Sequence, residues 1–344
     1  MKGTSKLYET EYYHKGIGQV EILETPIRYW GNRGEWIHRE SSALKGVTYR
    51  EWKRRVGQAR IDGTLDPMDV ELISRVAISV MVTDGQLTEY MHLAGYDVTQ
   101  DEIRKKADRL IEKEFLAKYE IKGNWFFEQA KLGVYRITRL GQQLAAEEGV
   151  HMHRGNCCQT FTERQNSNLW DDSVQIRRML MANDLAFPLI RHRLVKRIEF
   201  MTTLYLQGEY TGEYITRSAM TAYLDKGRAM LFEVFRRDAR DPLAQDQYIR
   251  DKILRYIRLV RHPEFLANNS LDLTEFPKLY VCCEDVPHTV KIKEMTRQIL
   301  EDNPCEEEFD PASIVFTNDF GMDYGIVYNR IFHMGEDEQE REDW

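Results

Sequence analysis

The sequence is poor in the residues and runs that mark secreted or membrane proteins. It has five cysteines in 344 residues, and no apolar run approaches the ~20 residues that a membrane-spanning helix requires. The pairs Cys157-Cys158 and Cys282-Cys283 are adjacent and Cys305 stands alone, which does not suit a disulfide framework. The first residues lead into Tyr, Glu and His, so no secretory signal is expected. We therefore expect a cytoplasmic protein without membrane contact.

The signatures of common enzyme classes are also missing. The sequence contains no G-x-x-x-x-G-K-[ST], G-x-S-x-G, G-x-G-x-x-G or H-E-x-x-H motif, and its nine histidines are scattered. The cluster His151, His153, Cys157 and Cys158 has zinc-ligand residue types, but its H-x-H-x-x-x-C-C spacing matches no structural zinc pattern. We therefore predict no catalytic residue, no metal site and no cofactor.

Composition and charge indicate packed domains with an acidic end. Hydrophobic residues make up 42% and aromatic residues 11% of the chain, and a chain of 344 residues usually forms two or three domains. The net charge is −8, and residues 335–344 hold six acidic residues against Arg341. We interpret this segment as a solvated acidic tail, with competition against DNA for a basic surface as the alternative.

Residues 66–149 have the pattern of three helices followed by a β-hairpin and a closing helix. Apolar residues at helical spacing, including Ile73, Val76 and Ala77, predict the first helix, and the second lies between Gly85 and Gly95. The third begins at a T-x-x-E capping box, in which the Thr99 and Glu102 side chains satisfy each other's backbone N–H groups. Its inner face is predicted to carry Ile103, Ala107, Leu110 and Ile111.

The hairpin is predicted from the residues that follow the third helix. Phe115 to Ile121 has the pattern of a strand, Lys122-Gly123-Asn124 that of a turn, and Trp125 to Phe127 that of the returning strand. The segment from Tyr135 to Gly141 then resembles the Y-x-I-T-x-x-G start of the last helix in many winged-helix regulators. Residues 66–149 are therefore predicted to be a winged helix-turn-helix domain.

A winged helix usually places its third helix in the major groove and its wing over the phosphates. We predict that this domain contacts double-stranded DNA through six residues, namely Gln100, Arg104, Lys105, Arg109, Lys118 and Lys122. The charges are mixed, because residues 66–149 contain 11 Lys and Arg against 15 Asp and Glu and Asp101 lies four residues before Lys105. The alternative is therefore a winged helix used for protein contacts or dimerisation.

The flanking regions carry weaker patterns. Residues 1–65 are predicted to be a β-containing extension, with strands at Gln19 to Trp30 and Glu35 to His38. Cations and aromatic residues are mixed from Tyr49 to Arg60, which suits either nucleic-acid contact or an ordinary amphipathic surface. Residues 150–168 are polar and are interpreted as an interdomain linker.

Residues 169–334 are predicted to form an α/β domain. Helices are expected at Asp171 to Ala182 and Phe187 to Lys196. Strands follow at Ile198 to Leu206, Glu213 to Arg217 and Ala219 to Leu224. A buried strand at Ala229 to Arg237 then precedes helix Gln245 to Val260, strand Leu279 to Cys283, helix His288 to Leu300 and strand Ser313 to Asn318. This order is that of a restriction-endonuclease-like core.

The layout and two short motifs point to a family. A winged helix, a polar linker and this α/β order, with E-V-x-R-R at residues 233–237 and L-Y-V-C at residues 279–282, resemble the replication-relaxation proteins of mobile elements over residues 66–320. The resemblance implies a DNA-binding role in plasmid replication or conjugative mobilisation. It also implies a relaxase or replication protein, and a second copy of the chain, as candidate partners.

Active endonucleases of this fold need an acidic residue on one strand and Glu-x-Lys on the next, because the carboxylates hold Mg²⁺ and the lysine positions water. Here Glu233 is followed two residues later by Phe235, and the preceding strand reads Arg217-Ser218-Ala219. We therefore predict an inactive nuclease-like domain in which Glu233 pairs with Arg237 or Arg255. The alternative is a metal-dependent nuclease that uses Glu233 with Asp225.

Overall fold

The computed structural model describes residues 35–39, 54–55, 57–59, 62–122, 133–150, 169–204, 216–237, 242–262, 265, 273–303 and 311–318. These residues fall into two compact units, one within Gly31–Phe187 and the other within Pro188–Trp344. Both units combine helices with sheets, so the fold is mixed α+β. Within these ranges no helix is both long enough and apolar enough to cross a bilayer.

The first unit contains three consecutive helices, a sheet and two later helices. Its elements are β1 (Glu35–Arg39), α1 (Pro67–Ser79), β2 (Val82–Thr83), α2 (Asp84–Leu93), α3 (Gln100–Glu112), β3 (Leu116–Lys122), β4 (Gly133–Ile137), α4 (Arg139–Glu147) and most of α5 (Leu169–Arg191).

Each of the first three helices starts at a capping box, which explains why each begins where it does. Asp66 caps α1, Thr83 caps α2 and Thr99 caps α3. The Thr99 box predicted from the sequence is confirmed, because the Thr99 N–H donates to Glu102 Oε2 at 2.8 Å and the Glu102 N–H donates to Thr99 Oγ1 at 3.3 Å. The predicted inner face of α3 is also confirmed at Ile103, Ala107 and Leu110, which are fully buried.

The sheet of the first unit has the strand order β1-β3-β4-β2. The strand predicted at Glu35 to His38 is confirmed as β1, which pairs antiparallel with β3. Leu116 also pairs with Ile137 and Glu120 with Gly133, so β3 lies between β1 and β4 in the sheet. The predicted strand at 125–127 and the turn at 123–124 lie outside the described residues.

Within the first unit, helix α5 packs against the other elements through a buried asparagine. Asn183 donates to the backbone oxygens of Met81 at 2.9 Å and Met179 at 2.7 Å, and it accepts from the Tyr90 hydroxyl at 2.7 Å. Gln86 donates to Leu180 O and to Asp184 Oδ1, each at 2.7 Å. The sequence assigned this helix to the second domain and divided it in two, whereas the structure has one continuous helix up to Arg191.

The second unit is built on a five-stranded sheet of order β11-β10-β9-β8-β5. Its elements are β5 (Arg197–Phe200), β6 (Thr203–Leu204), β7 (Thr216–Arg217), β8 (Met220–Tyr223), β9 (Ala229–Val234), α6 (Pro242–Arg261), β10 (Lys278–Cys283), α7 (Val286–Asp302) and β11 (Ile314–Asn318). Strands β9, β10 and β11 are parallel, while β5 and β8 are antiparallel neighbours.

Helices α6 and α7 bury their apolar faces in one cluster with the parallel strands. Ile253 of α6 and Ile292 of α7 pack with Leu231, Val281 and Phe316 of the sheet. Alternate residues of a strand face the same side, so Glu233, which lies between Leu231 and Phe235 in this alternation, also faces the cluster.

Three predictions concern segments outside the described residues. They are the strand at 19–30, the linker at 151–168 with its His and Cys residues, and the acidic tail.

Candidate nucleic-acid interface and the Glu233 pocket

The C-terminal half of α3 is tied to the start of α1 by ion pairs. Lys106 Nζ lies 2.5 Å from Asp66 Oδ2 and 3.2 Å from Asp69 Oδ1. The Arg109 guanidinium also contacts Asp69, whose side chain is fully buried. The hydrogen bond to Asp69 raises the pKa of Arg109 against the opposing effect of burial. Arg109, a predicted DNA contact, is therefore neutralised within the protein.

Arg104 is held in the same way by α2. Its Nη2 lies 2.6 Å and its Nε 3.0 Å from Asp84 Oδ2, and its Nη1 lies 3.0 Å from Asp101. The side chain of Asp84 is 9% exposed, so a partly buried carboxylate anchors this arginine. Asp101 is thus paired with Arg104, not with Lys105 as the i,i+4 spacing allowed. Arg104 joins α3 to α2 and has less freedom to turn toward a ligand.

Two residues in the N-terminal half of α3 remain available. Lys105 is exposed and makes no ion pair with any residue the structure describes, and Gln100 is half-buried at the first position of the helix. The N-terminal part of a recognition helix is the part that usually contacts base edges. Of the predicted α3 residues, Gln100 and Lys105 are therefore the best placed to reach a ligand.

The two predicted wing residues lie on β3. Lys118 Nζ lies 3.3 Å from Asp108 Oδ1 and 5.5 Å from the centre of the Tyr135 ring, where it is positioned for a cation–π contact. A Cβ at Gly133 would lie 2.7 Å from Lys118 Cε, so this glycine makes room for the lysine. Lys122 ends β3, and its side chain is outside the described part of the chain.

The carboxylates that neutralise α3 were not anticipated from the sequence. Asp69 and Asp84 lie in the first turns of α1 and α2. Acidic residues are common there because their negative charge interacts favourably with the positive end of the helix dipole. A D-x-x-D capping pair at residues 66–69 was a usable signal for a fixed acidic group. Its pairing with α3 depends on helix packing, which spacing along the chain does not give.

The second candidate site surrounds Glu233 on β9. Lys252 of α6 places its Nζ 2.7 Å from Glu233 Oε2, and the two side chains are 11% and 5% exposed. A small pocket beside the pair is lined by Thr216, Ser218 and Tyr256 among others. The carboxylate that the endonuclease pattern would use for a metal is therefore paired with an ammonium group.

Lys252 was not among the partners that the sequence suggested for Glu233, which were Arg237 and Arg255. Arg237 instead forms two hydrogen bonds to Asp285, at 2.5 and 2.6 Å, because β9 and β10 are parallel neighbours that end at the same edge. The position of Lys252 was a missed signal. It lies three residues after Ile249 and four before Tyr256, both buried, so it belongs near the inner face of α6.

The other proposed nuclease acid, Asp225, lies on an exposed turn and pairs with Lys196 at 2.8 Å. Among the described residues no three His, Cys, Asp or Glu side chains are grouped as a metal site.

Comparison of this chain with known protein families, with curated proteins and with solved structures gave no match. The resemblance to replication-relaxation proteins therefore rests on the motifs and on the element order.

Proposed function

We propose that this chain is a non-enzymatic DNA-binding protein that acts in the replication or conjugative mobilisation of a mobile element. The observation that carries the proposal is the order α1-β2-α2-α3-β3-β4 with β4 lying between β3 and β2 in the sheet. A winged helix has this order, and it presents its third helix to the major groove of duplex DNA.

In this proposal the two kinds of residue on α3 have separate roles. Arg104, Lys106 and Arg109 fix the helix to α1 and α2 through Asp84, Asp66 and Asp69. Lys105 and Gln100 make the contact with DNA. A helix held in advance loses little conformational entropy on binding, so the internal ion pairs support recognition even though they contribute no charge to it.

We further propose that the second unit is a restriction-endonuclease-like domain without catalytic activity. The hairpin of β5 and β8 followed by β9-α6-β10-α7-β11 supports the fold. The pairing of Glu233 with Lys252 and the presence of Phe235 two residues later support the loss of chemistry. Supercoiled DNA incubated with the protein and Mg²⁺ or Mn²⁺ should stay intact. Cleavage that Glu233→Gln abolishes would show an active nuclease.

The second candidate function is a scaffold for a partner protein, such as a relaxase, or for a second copy of the chain. The internal neutralisation of Arg104, Lys106 and Arg109 favours it, because a strong DNA-binding surface usually keeps its cations free for phosphates. The scaffold and DNA-binding proposals differ in what Lys105 does.

An anisotropy titration of a labelled duplex at several salt concentrations tests the proposal. Lys105→Ala should weaken binding and reduce the salt slope by about one unit, because one phosphate contact is lost. Arg75→Ala is the matched control, since Arg75 lies on α1 and is paired with Glu71 at 2.6 Å. If Lys105→Ala matches the wild type on every duplex, the scaffold function is favoured.

A further inference from the structure

The second unit carries a basic surface that the proposed function does not use. It consists of five exposed cations on two segments of the chain, which we name the basic turn patch: Arg193, Lys196, Arg197, Lys226 and Arg228. The segments are the end of α5 with the start of β5, and the turn between β8 and β9.

Backbone pairing brings the two segments together. The Lys196 N–H donates to Tyr223 O at 2.8 Å, and Arg197 is the register partner of Tyr223. Lys196 Nζ also lies 2.8 Å from Asp225, in the turn that carries Lys226 and Arg228. Arg193 is three residues before Lys196, so their Cα atoms are at most about 11 Å apart. The five cations therefore lie on two neighbouring segments of the second unit.

The charge of this patch is not balanced locally. Among the described residues, Asp225 is ion-paired with Lys196 and Glu199 with Arg197, and Asp225 also attracts Arg228 and Lys226 at longer range. Arg193, Lys226 and Arg228 form no ion pair with any residue that the structure describes. This is the reverse of α3, where Arg104, Lys106 and Arg109 all have carboxylate partners. In a chain of net charge −8, such a patch attracts a polyanion.

We infer that the basic turn patch is a second DNA-contacting surface that binds the phosphate backbone. The inference rests on the proposed function, because it assigns a further contact to the same ligand. Three of the five cations are arginines, whose planar guanidinium groups match phosphate oxygens in a bidentate geometry. Binding to a lipid surface would need an apolar anchor, and among the described residues the two cation-bearing segments themselves carry a single exposed large apolar side chain, Leu194. The contact with DNA is made to phosphates, so it is independent of base sequence.

The test uses the full chain and a variant that removes the three cations without an ion pair, Arg193→Ala/Lys226→Ala/Arg228→Ala. Anisotropy titrations with a 30-base-pair duplex are repeated from low to high salt. The matched control, Arg250→Ala/Lys291→Ala/Arg297→Ala, removes the same charge from α6 and α7, where each residue has an internal partner. The patch variant should lower the salt slope by two to three units, at about 0.9 unit per lost phosphate contact. The control should change it by less than half a unit.

Several results would overturn the inference. If the patch variant has the same salt slope as the wild type and the control, this surface does not bind DNA. If Lys105→Ala still weakens DNA binding in that assay, the proposed function is retained. Binding that needs the patch but not Lys105 would contradict the winged-helix proposal and support the patch. Patch-dependent pelleting with phosphatidylserine vesicles, without patch-dependent DNA binding, would assign the surface to membranes. A wild-type chain that binds no duplex would overturn both proposals.

Discussion

The ammonium of Lys252 lies 2.7 Å from the carboxylate of Glu233, inside the apolar cluster between the sheet and α6 of the second unit. A buried carboxylate is costly unless a cation or hydrogen bonds compensate it. Lys252 supplies that cation, and the Val234 N–H donates a further hydrogen bond at 3.1 Å. The pair therefore joins the central strand β9 to the helix that covers it.

Removal of Lys252 should destabilise the protein strongly. Lys252→Met takes away the ammonium that compensates the buried carboxylate and should cost about 3 kcal/mol or more of unfolding free energy. Arg255→Met, an exposed cation on the same helix, should change it by less than about 0.5 kcal/mol. Urea denaturation of both variants measures the difference. The double variant Glu233→Gln/Lys252→Met should recover most of the lost unfolding free energy. Equal stability of Lys252→Met and the wild type would show that Lys252 does not compensate the Glu233 carboxylate.

The buried Asn183 should be needed for the attachment of α5 to the rest of the first unit. Asn183→Ala removes the donor to Met81 O and Met179 O and the acceptor of Tyr90. Each buried polar group left without its partner costs about 1–3 kcal/mol, so we expect a loss of at least about 2 kcal/mol. Tyr90→Phe removes one of these bonds and should cost less. Equilibrium unfolding compares the two, and a larger effect of Tyr90→Phe would contradict this account.

Gly141 should not tolerate a side chain. A Cβ at this position would lie 2.3 Å from Phe115 O, so the start of α4 would have to move away from the residue before β3. Gly141→Ala should destabilise by about 1–3 kcal/mol, the usual cost of overpacking. Gly85→Ala is the control, because its Cβ would meet only ordinary contacts at 3.8 Å or more and alanine favours a helix. Thermal melts that rank the two variants in the opposite order would show that the close approach is absent.

His288 should make the protein less stable in acid. Burial lowers the pKa of His288 from 6.5 to about 3, and the nearby cations Arg237, Arg236 and Lys291 add to the effect. The unfolded chain thus takes up a proton below pH 6.5 that the folded chain does not, so stability falls as the pH falls toward 3. This group should remove about 2 kcal/mol between pH 6.5 and 4.5.

The control for this effect is His288→Asn. In the wild type the Glu284 N–H donates to His288 Nδ1 at 3.3 Å, and the asparagine side-chain oxygen can accept the same hydrogen bond. Denaturation at several pH values should show a shallower decline in the variant. Parallel curves for the two proteins would mean that His288 does not contribute to the pH dependence.

Local signals predicted much of the fold, while contacts between elements were mostly missed. The capping box at Thr99 and the apolar runs of β9, β10 and β11 depend on neighbouring residues, so they can be read from spacing alone. The sequence pattern placed the end of a helix at Ala182, just before Asn183. The structure buries Asn183 completely, since it hydrogen-bonds to Met81 and Tyr90, which lie about a hundred positions away in the sequence.

At the candidate site too, features set by neighbouring residues were predicted, whereas contacts between helices and strands were not. Lys105 was predicted as a DNA contact and is exposed on α3, but spacing along the chain did not indicate that Arg104 and Arg109 are paired with Asp84 and Asp69. These pairs depend on how α1 and α2 pack against α3. The pairing of Lys252 with Glu233 likewise needs α6 to lie over β9.

Photo-crosslinking from α3 tests the central claim, DNA contact by this helix, most directly. A photoreactive phenylalanine analogue is placed at position 105, or at position 75 on α1 as the control, and the full chain is irradiated with labelled duplex. The account predicts crosslinks from position 105 that excess unlabelled duplex removes, and few from position 75. Crosslinks from position 75 alone, or equal labelling from both positions, would contradict the claim that α3 is the DNA-contacting helix.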